Sequence, residues 1–324
     1  MTIPVIESLR QAYPDVQVTL LSSGAAHAVY EAVAPGRNPV QAVRIKDDYA
    51  GITGLNRLFR MLYAEQFDAV ADLHDVLRTQ YLDSRFRMKG IPIAVIDKGR
   101  SDKRRLVRHT VFRPLTSGIE RYHQVFRQLG FDFPIRYDPV DTSVLRNGIG
   151  IAPFAQHQGK IYPAELMEQV IRMLLDALPD QPLYLFGGGK REKEILDRWA
   201  AEDERITNMT GRYSLTDELL FMKRLHVMIS MDSANMHFAS LVGTPVVSVW
   251  GATHPYAGFL GYGQDPEHAV QLDLPCRPCS VYGKKTCRYG TWKCLHDIPP
   301  EDIVRQTLAV LHDTIQKTES EAAQ

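Results

Sequence analysis

Three stretches of this sequence combine charged, hydroxyl and glycine residues where a bound anion would be held. The first is Met231-Asp232-Ser233-Ala234-Asn235-Met236-His237, which directly follows the apolar run Val227 to Ser230 and opens a predicted helix. A helix N-terminus at the carboxyl end of a parallel strand presents free N–H groups to an anion, and Asp232 or Ser233 can cap that helix or bind a ribose hydroxyl. A plain N-cap beside a packed His237 satisfies the same letters. The second is the polar loop Ala152 to Pro163, with Gln156 and Lys160. Lys160 projects where a diphosphate would lie and can neutralise a departing one, although most loop lysines are merely solvated. The third is Leu185-Phe186-Gly187-Gly188-Gly189-Lys190-Arg191-Glu192. Its glycines, Gly188 among them, allow close approach of a ligand, and Glu192 can accept hydrogen bonds from a ribose or base. Glu192 also stands where a dinucleotide fingerprint has its third glycine, which disfavours NAD.

These stretches need strands to aim them. Apolar runs at Val16 to Leu21, Ala69 to Leu73, Ile93 to Ile96, Gly148 to Ala152, Leu183 to Phe186, Val227 to Ser230 and Val246 to Trp250 alternate with helical periodicity. Such alternation implies parallel sheets covered by helices on both faces. The segment Phe131 to Leu145 follows neither period and separates two such halves. The resulting expectation is an α/β chain with a first lobe at 1–137, a linker at 138–147, a second lobe at 148–299 and a C-terminal helix and tail at 300–324. That makes two Rossmann-like doubly wound lobes facing a cleft. The first lobe opens oddly. Thr2 can cap and Pro4 can begin a helix at once, with Ile3, Ile6, Leu9 and Tyr13 on one face, so the central opening strand of such a lobe is missing. An unfilled sheet position is expected near Val18 to Leu21 and Ala69 to Leu73.

Composition sets outer bounds. The 324 residues are 44% hydrophobic and 23% charged, enough for two cores, and 38 basic residues balance 38 acidic ones. No global charge points to nucleic acid. With neither a secretory leader nor a run of about 18 apolar residues, the chain is expected in the cytoplasm.

The sequence resembles a known family at this point. Lys-Ile-Tyr-Pro at 160 to 163, Gly-Gly-Gly at 187 to 189, Met-Asp-Ser-Ala-Asn-Met-His at 231 to 237 and Gly-Thr-Pro-Val-Val-Ser-Val-Trp-Gly-Ala-Thr-His-Pro at 243 to 255 look like the ordered motifs of the heptosyltransferases, glycosyltransferase family 9. The likeness runs from Met1 to the C-terminal helix. It implies a GT-B fold with an acceptor-binding N-terminal lobe and a C-terminal lobe for ADP-heptose or a related donor. By motif, Lys160 would bind the diphosphate, Glu192 the adenosine portion, Asp232, Ser233 and His237 the sugar diphosphate, and Tyr213, after Thr210-Gly211-Arg212, would line the nucleotide pocket. Two departures stand out. Ala234 replaces a glycine common in the family. The strand and Gly-Asp loop whose aspartate is taken as the general base would precede Thr2, so Met1 reads as an internal methionine.

The reaction implied is in-line displacement at an anomeric carbon, with Lys160 and helix N-termini stabilising the leaving diphosphate. No Asp-x-Asp pair is present to hold a divalent ion, so a metal-independent transfer is expected. Hydrolase, zinc-protease and P-loop motifs are absent. A basic stretch from Asp97 to Arg113, including Arg104 and Arg105, suits an anionic lipid-linked saccharide acceptor or the inner face of the inner membrane, or else a solvated helix face. Asp72 and His74 can help position an acceptor, although a capping aspartate and a packed histidine are the readings the letters favour. Cys276, Cys279, Cys287 and Cys294 have a spacing that can close around a structural zinc, with reduced thiols in a surface loop the alternative. A binding-only protein without the base, and a nucleotide-sugar epimerase sharing the two-lobed fold, are the competing functions.

Overall fold

The computed structural model describes residues 1–141 and 143–322, apart from the side chains at 46, 318, 319, 321 and 322. One position of the expected linker and the last two residues of the tail therefore lie outside the described residues. The chain divides into two compact units, Met1–Arg100 with Thr116–Tyr137, and Ser101–Leu115 with Asp138–Gln324. The sequence reading differs in one respect: the stretch from Ser101 to Leu115 packs with the second unit, where the Leu115 N–H donates to the Tyr256 carbonyl at 2.9 Å.

The first unit runs α1 (Ile3–Ala12), β1 (Leu20–Ser22), α2 (Gly24–Val33), β2 (Val40–Ala42), α3 (Ile45–Asp48), α4 (Gly51–Ala64), β3 (Val70–Asp72), α5 (Leu77–Arg87) and β4 (Ile93–Val95). After α6 (Arg100–Val107), most of which belongs to the second unit, it closes with α7 (Gly118–Gln128). Helix α1 starts where the proline signal puts it and buries Ile3, Val5, Ile6 and Leu9. Thr2 does not cap it through its hydroxyl; its carbonyl accepts the Val5 and Ile6 N–H groups instead. Leu55, Leu58, Phe59 and Leu62 repeat along one face of α4 and meet Leu82 and Phe86 of α5. Leu21 of β1, Val70 of β3 and Ile93 of β4 pack on this cluster. Strand β1 pairs in parallel with β2, and β3 with β4, as two separate ladders. Among the described residues no strand joins them, at the place where an unfilled position is expected.

This interruption has a measurable consequence. The N–H groups of Leu20 and Val70 point to their partner strands, so those of Leu21 and Ala71 point away, toward edges without a neighbouring strand. We expect the Leu21 and Ala71 amides to exchange with solvent at least about 100-fold faster than amides of the central strand of the second unit, which is paired on both sides. Equal protection of both sets would show that the first sheet is continuous.

The second unit holds β5 (Ile149–Ala152), α8 (Ala164–Ala177), β6 (Leu183–Leu185), α9 (Gly189–Ala200), β7 (Ile206–Asn208), α10 (Leu215–Met222), β8 (Val227–Met231), α11 (Ala234–Leu241), β9 (Val246–Val249), β10 (Ala269–Val270), α12 (Lys293–His296) and α13 (Pro300–Ala322). Its sheet is parallel throughout, in the order β10-β9-β8-β5-β6-β7. Every residue of β5, β8 and β9 is buried, which explains why their letters are apolar but for Ser230 and Ser248: these central strands are covered on both faces. Helix α8 lays Met167, Val170, Ile171 and Leu174 on one face of the sheet, joined by Ile303, Val304, Val310 and Leu311 of α13. Gly150 of β5 leaves no room for a side chain, since a Cβ would come within 2.4 Å of the Met228 sulfur. Strands β2, β7 and β10 are not foreseen from the sequence, being too short to show a period of two. Among the described residues no helix is long and apolar enough to cross a membrane.

Candidate donor site

The strand order of the second unit reverses between β5 and β8, and loops leaving the carboxyl ends of two such strands open a crevice for a ligand. The loop after β5 ends in a short 3-10 turn, Gln158–Lys160, and the loop after β8 begins at Asp232. The two sequence-predicted charges meet there, with Lys160 Nζ 2.8 Å from Asp232 Oδ2. Asp232 is only 4% exposed, and the Thr253 hydroxyl donates to the same oxygen at 2.8 Å. Pairing and hydrogen bonding of this kind offset the cost of burying a carboxylate.

Ser233 precedes α11 in an extended conformation, and its hydroxyl makes no capping bond; it lies 3.3 Å from the Ser230 hydroxyl instead. The first N–H groups of α11, beginning at Ala234, therefore have no side-chain cap within the chain, which suits an anion. One turn along, burial pushes His237 down to about 3, and its buried Nδ1 has no partner in the protein. A neutral imidazole can hydrogen-bond a ligand there without adding positive charge to that of Lys160.

The backbone around these groups has little slack. A Cβ on Gly159 would reach the Trp292 ring at 2.9 Å and the Gly283 carbonyl at 2.8 Å, and one on Gly283 would reach Lys160 Cγ at 2.7 Å. Gly283 also has φ +72°, which disfavours any other residue. The Lys160 stem is thus held by the 283 loop on one side and by Asp232 at its tip.

Other predicted residues take more local roles. Glu192 Oε2 accepts the Gly188 N–H at 2.7 Å and closes the turn into α9, with Gly188 itself exposed. Gln156 is exposed on the β5 loop, and Tyr213 is 51% exposed and stacks on Phe221. In the first unit Asp72 Oδ1 accepts the His74 and Asp75 N–H groups at 2.8 and 2.9 Å. These bonds close the turn that follows β3, ahead of the Val76 N-cap of α5, and His74 is exposed rather than packed. Arg104 and Arg105 are exposed on α6, and the buried Lys103 stem of the same helix places its ammonium 4.4 Å from the Phe259 ring. All four cysteines are free thiols, and burial pushes Cys294 up to about 11. Among the described residues no three His, Cys, Asp or Glu side chains are placed to hold a metal ion; the four thiols nonetheless lie near enough for the charges of Cys276, Cys279 and Cys287 to add to the rise at Cys294. Thr253 and the buried Arg277 were not foreseen as parts of the site. The only signals were Thr253 within the Gly-Ala-Thr-His-Pro motif and Arg277 between two cysteines.

Comparison with known proteins agrees with this geometry. Residues 55–292 match glycosyltransferase family 9 (heptosyltransferase). The chain is 26% identical over 200 residues to lipooligosaccharide heptosyltransferase 2 of Campylobacter jejuni subsp. jejuni serotype O:2, an overlap of 58% of this chain and 59% of that protein. It thus spans less than two thirds of that relative's length. Among solved structures, Escherichia coli ADP-heptose lps heptosyltransferase II aligns with a TM-score of 0.66 at 17% identity, covering 96% of this chain and 94% of that one. A family 9 glycosyl transferase from Veillonella parvula DSM 2008 aligns with a TM-score of 0.70 at 20% identity, covering 96% and 93%. These likenesses show a shared fold of the GT-B class. The matched span holds the Lys160 loop, the glycine turn, the Asp232 motif and the Thr253 motif together, and the chain belongs to glycosyltransferase family 9, the heptosyltransferases.

Proposed function

We propose that the protein is an inverting glycosyltransferase that moves a heptose or related sugar from an ADP-sugar to a lipopolysaccharide-core acceptor. The observation that carries this is the meeting of Lys160 and Asp232 at the strand-order reversal, beside the open N-terminus of α11. A diphosphate entering there is met by the lysine ammonium and by helix N–H groups, which become more favourable as negative charge develops on the leaving group. Asp232, held by Thr253, keeps Lys160 aimed before the donor arrives. Glu192 and Tyr213 serve the adenosine portion, and Ser233 and His237 the sugar diphosphate. The ADP-heptose named for the Escherichia coli enzyme supports the adenine choice. Exposed Arg104, Arg105 and Arg108 suit an anionic lipid-linked acceptor at the cytoplasmic face of the inner membrane.

The test is product analysis by mass spectrometry with ADP-heptose, with and without a lipopolysaccharide-core acceptor. Heptosylated acceptor and ADP in equal amounts are expected. Donor altered without acceptor would identify an epimerase. Binding of ADP with no turnover would identify a binding-only protein.

Transfer is expected to survive EDTA, because Lys160 and helix N–H groups replace the metal at the diphosphate and no Asp-x-Asp pair is present. Loss of turnover that magnesium restores would contradict this.

A further inference from the structure

Arg277 is 4% exposed, and no carboxylate hydrogen-bonds its guanidinium. The guanidinium spends itself on the turn that follows β9. Nε donates to the Gly251 carbonyl, and Nη2 donates to the carbonyls of Trp250 and Thr253 at 3.2 and 3.0 Å. Nη1 holds the Leu272 carbonyl, and Nη2 also reaches Gln271 Oε1 at 3.0 Å. Three carbonyls from residues 250 to 253 are thereby satisfied by one side chain. A turn of this shape has no strand or helix to pair them, and left buried without donors they would cost stability.

The same turn touches both halves of the donor site. The Ala252 N–H donates to the Gly159 carbonyl at 2.8 Å, one residue before Lys160. Its own carbonyl accepts the N–H groups of Cys279 and Ser280 at 3.1 Å, tying the turn back to the segment that carries Arg277. Thr253 donates to Asp232 Oδ2, the oxygen that Lys160 also contacts. A shift of the turn would move the Lys160 loop and the Asp232 carboxylate together.

We propose that Arg277, acting through Thr253 and Ala252, is a positioning residue for donor binding: its planar set of five donors fixes the 250–253 turn so that Lys160 and Asp232 keep one geometry. This rests on the ADP-donor reading above. Lysine cannot replace it, because three donors radiating from one atom cannot reach carbonyls spread around a planar fork.

The experiment is calorimetric titration of ADP into wild type, Arg277→Lys, Thr253→Val and the double variant, at a temperature where circular dichroism shows each to be folded. The expected result is a Kd raised roughly tenfold or more in each single variant. The double variant should be weakened less than the product of the two single effects, because both act through one turn. A merely structural role would lower the melting temperature and leave the Kd of the folded protein alone. Folded Arg277→Lys binding ADP within threefold of wild type overturns the inference. Should Arg277→Lys not fold, Thr253→Val decides, a change under threefold overturning it and a larger one upholding it. Wild type that fails to bind ADP removes the donor reading, and this inference with it.

Discussion

At pH 8 the first unit is expected to be less stable than at pH 5 by as much as about 3 kcal/mol, and Asp83→Asn is expected to remove most of that difference. Asp83, on α5, is 3% exposed and meets Asp72 at the end of β3, itself 5% exposed. Burial, then the charge of Asp72 and the hydrogen bond between the two carboxyl groups, push Asp83 from 3.8 up to about 7, with Arg87 opposing and Asp75 adding to the rise. The contact between two carboxyl groups requires one of them to hold a proton. Asp72 Oδ2 is buried and has no other hydrogen-bond partner among the described residues. Because the folded pKa lies above the unfolded one, the folded state binds more protons between about pH 4 and pH 7. Stability is therefore fully present below pH 4, falls as pH rises through 7, and is lowest above it. The figure is the roughly two units between pH 5 and the folded value near 7, at about 1.4 kcal/mol each. All three tryptophans, Trp199, Trp250 and Trp292, lie in the second unit, so their fluorescence would miss the effect. Urea unfolding followed by hydrogen exchange of peptides spanning residues 70–87 reads it directly. Flat stability from pH 5 to 8 in the wild type, or an unchanged slope in Asp83→Asn, would show that the pair shares no proton.

Lys160→Ala is expected to weaken ADP binding by roughly 10- to 100-fold, since it removes a charge-assisted hydrogen bond worth about 1.5 to 3 kcal/mol. It should also lower the melting temperature of the free protein. Asp232 would remain buried with Thr253 as its only side-chain partner, and breaking a buried ion pair by removing one member costs about 3 to 5 kcal/mol. The low end applies here, because the Lys160 side chain is partly exposed. A double variant, Lys160→Met with Asp232→Asn, separates the two effects. Removing both charges should recover much of the lost stability without recovering ADP affinity. Equal affinity in Lys160→Ala and wild type would take Lys160 out of the site.

The parts of the proposed donor site are legible in the sequence because they are local. A strand, a polar turn and a helix start can each be read from a dozen residues, and the parallel order of β5 and β8 brings two such turns together. Arg277 was not legible because its role depends on carbonyls 24 to 27 residues away, and its neighbours in sequence are cysteines that suggest metal chemistry. Asp83 was hidden for a related reason. Within Leu77–Arg87 it looks like an ordinary polar helix residue, and only the packing of α5 against β3 buries it beside a second carboxylate. The basic stretch from Ser101 to Leu115 was assigned by chain order to the first lobe, whereas its apolar anchors, Leu106 and the Lys103 stem over Phe259, bind it into the second unit.

The central claim is that the crevice between the β5 and β8 loops receives the diphosphate of an ADP-sugar. A crystal structure of the protein with a non-hydrolysable ADP-sugar tests it most directly. The account predicts Lys160 Nζ and the first N–H groups of α11 within hydrogen-bonding distance of the diphosphate oxygens, His237 facing the ligand through a neutral nitrogen, and the adenosine toward Glu192 and Tyr213. A nucleotide bound elsewhere in the chain, with the Lys160 to Asp232 contact undisturbed and the crevice empty, would contradict it.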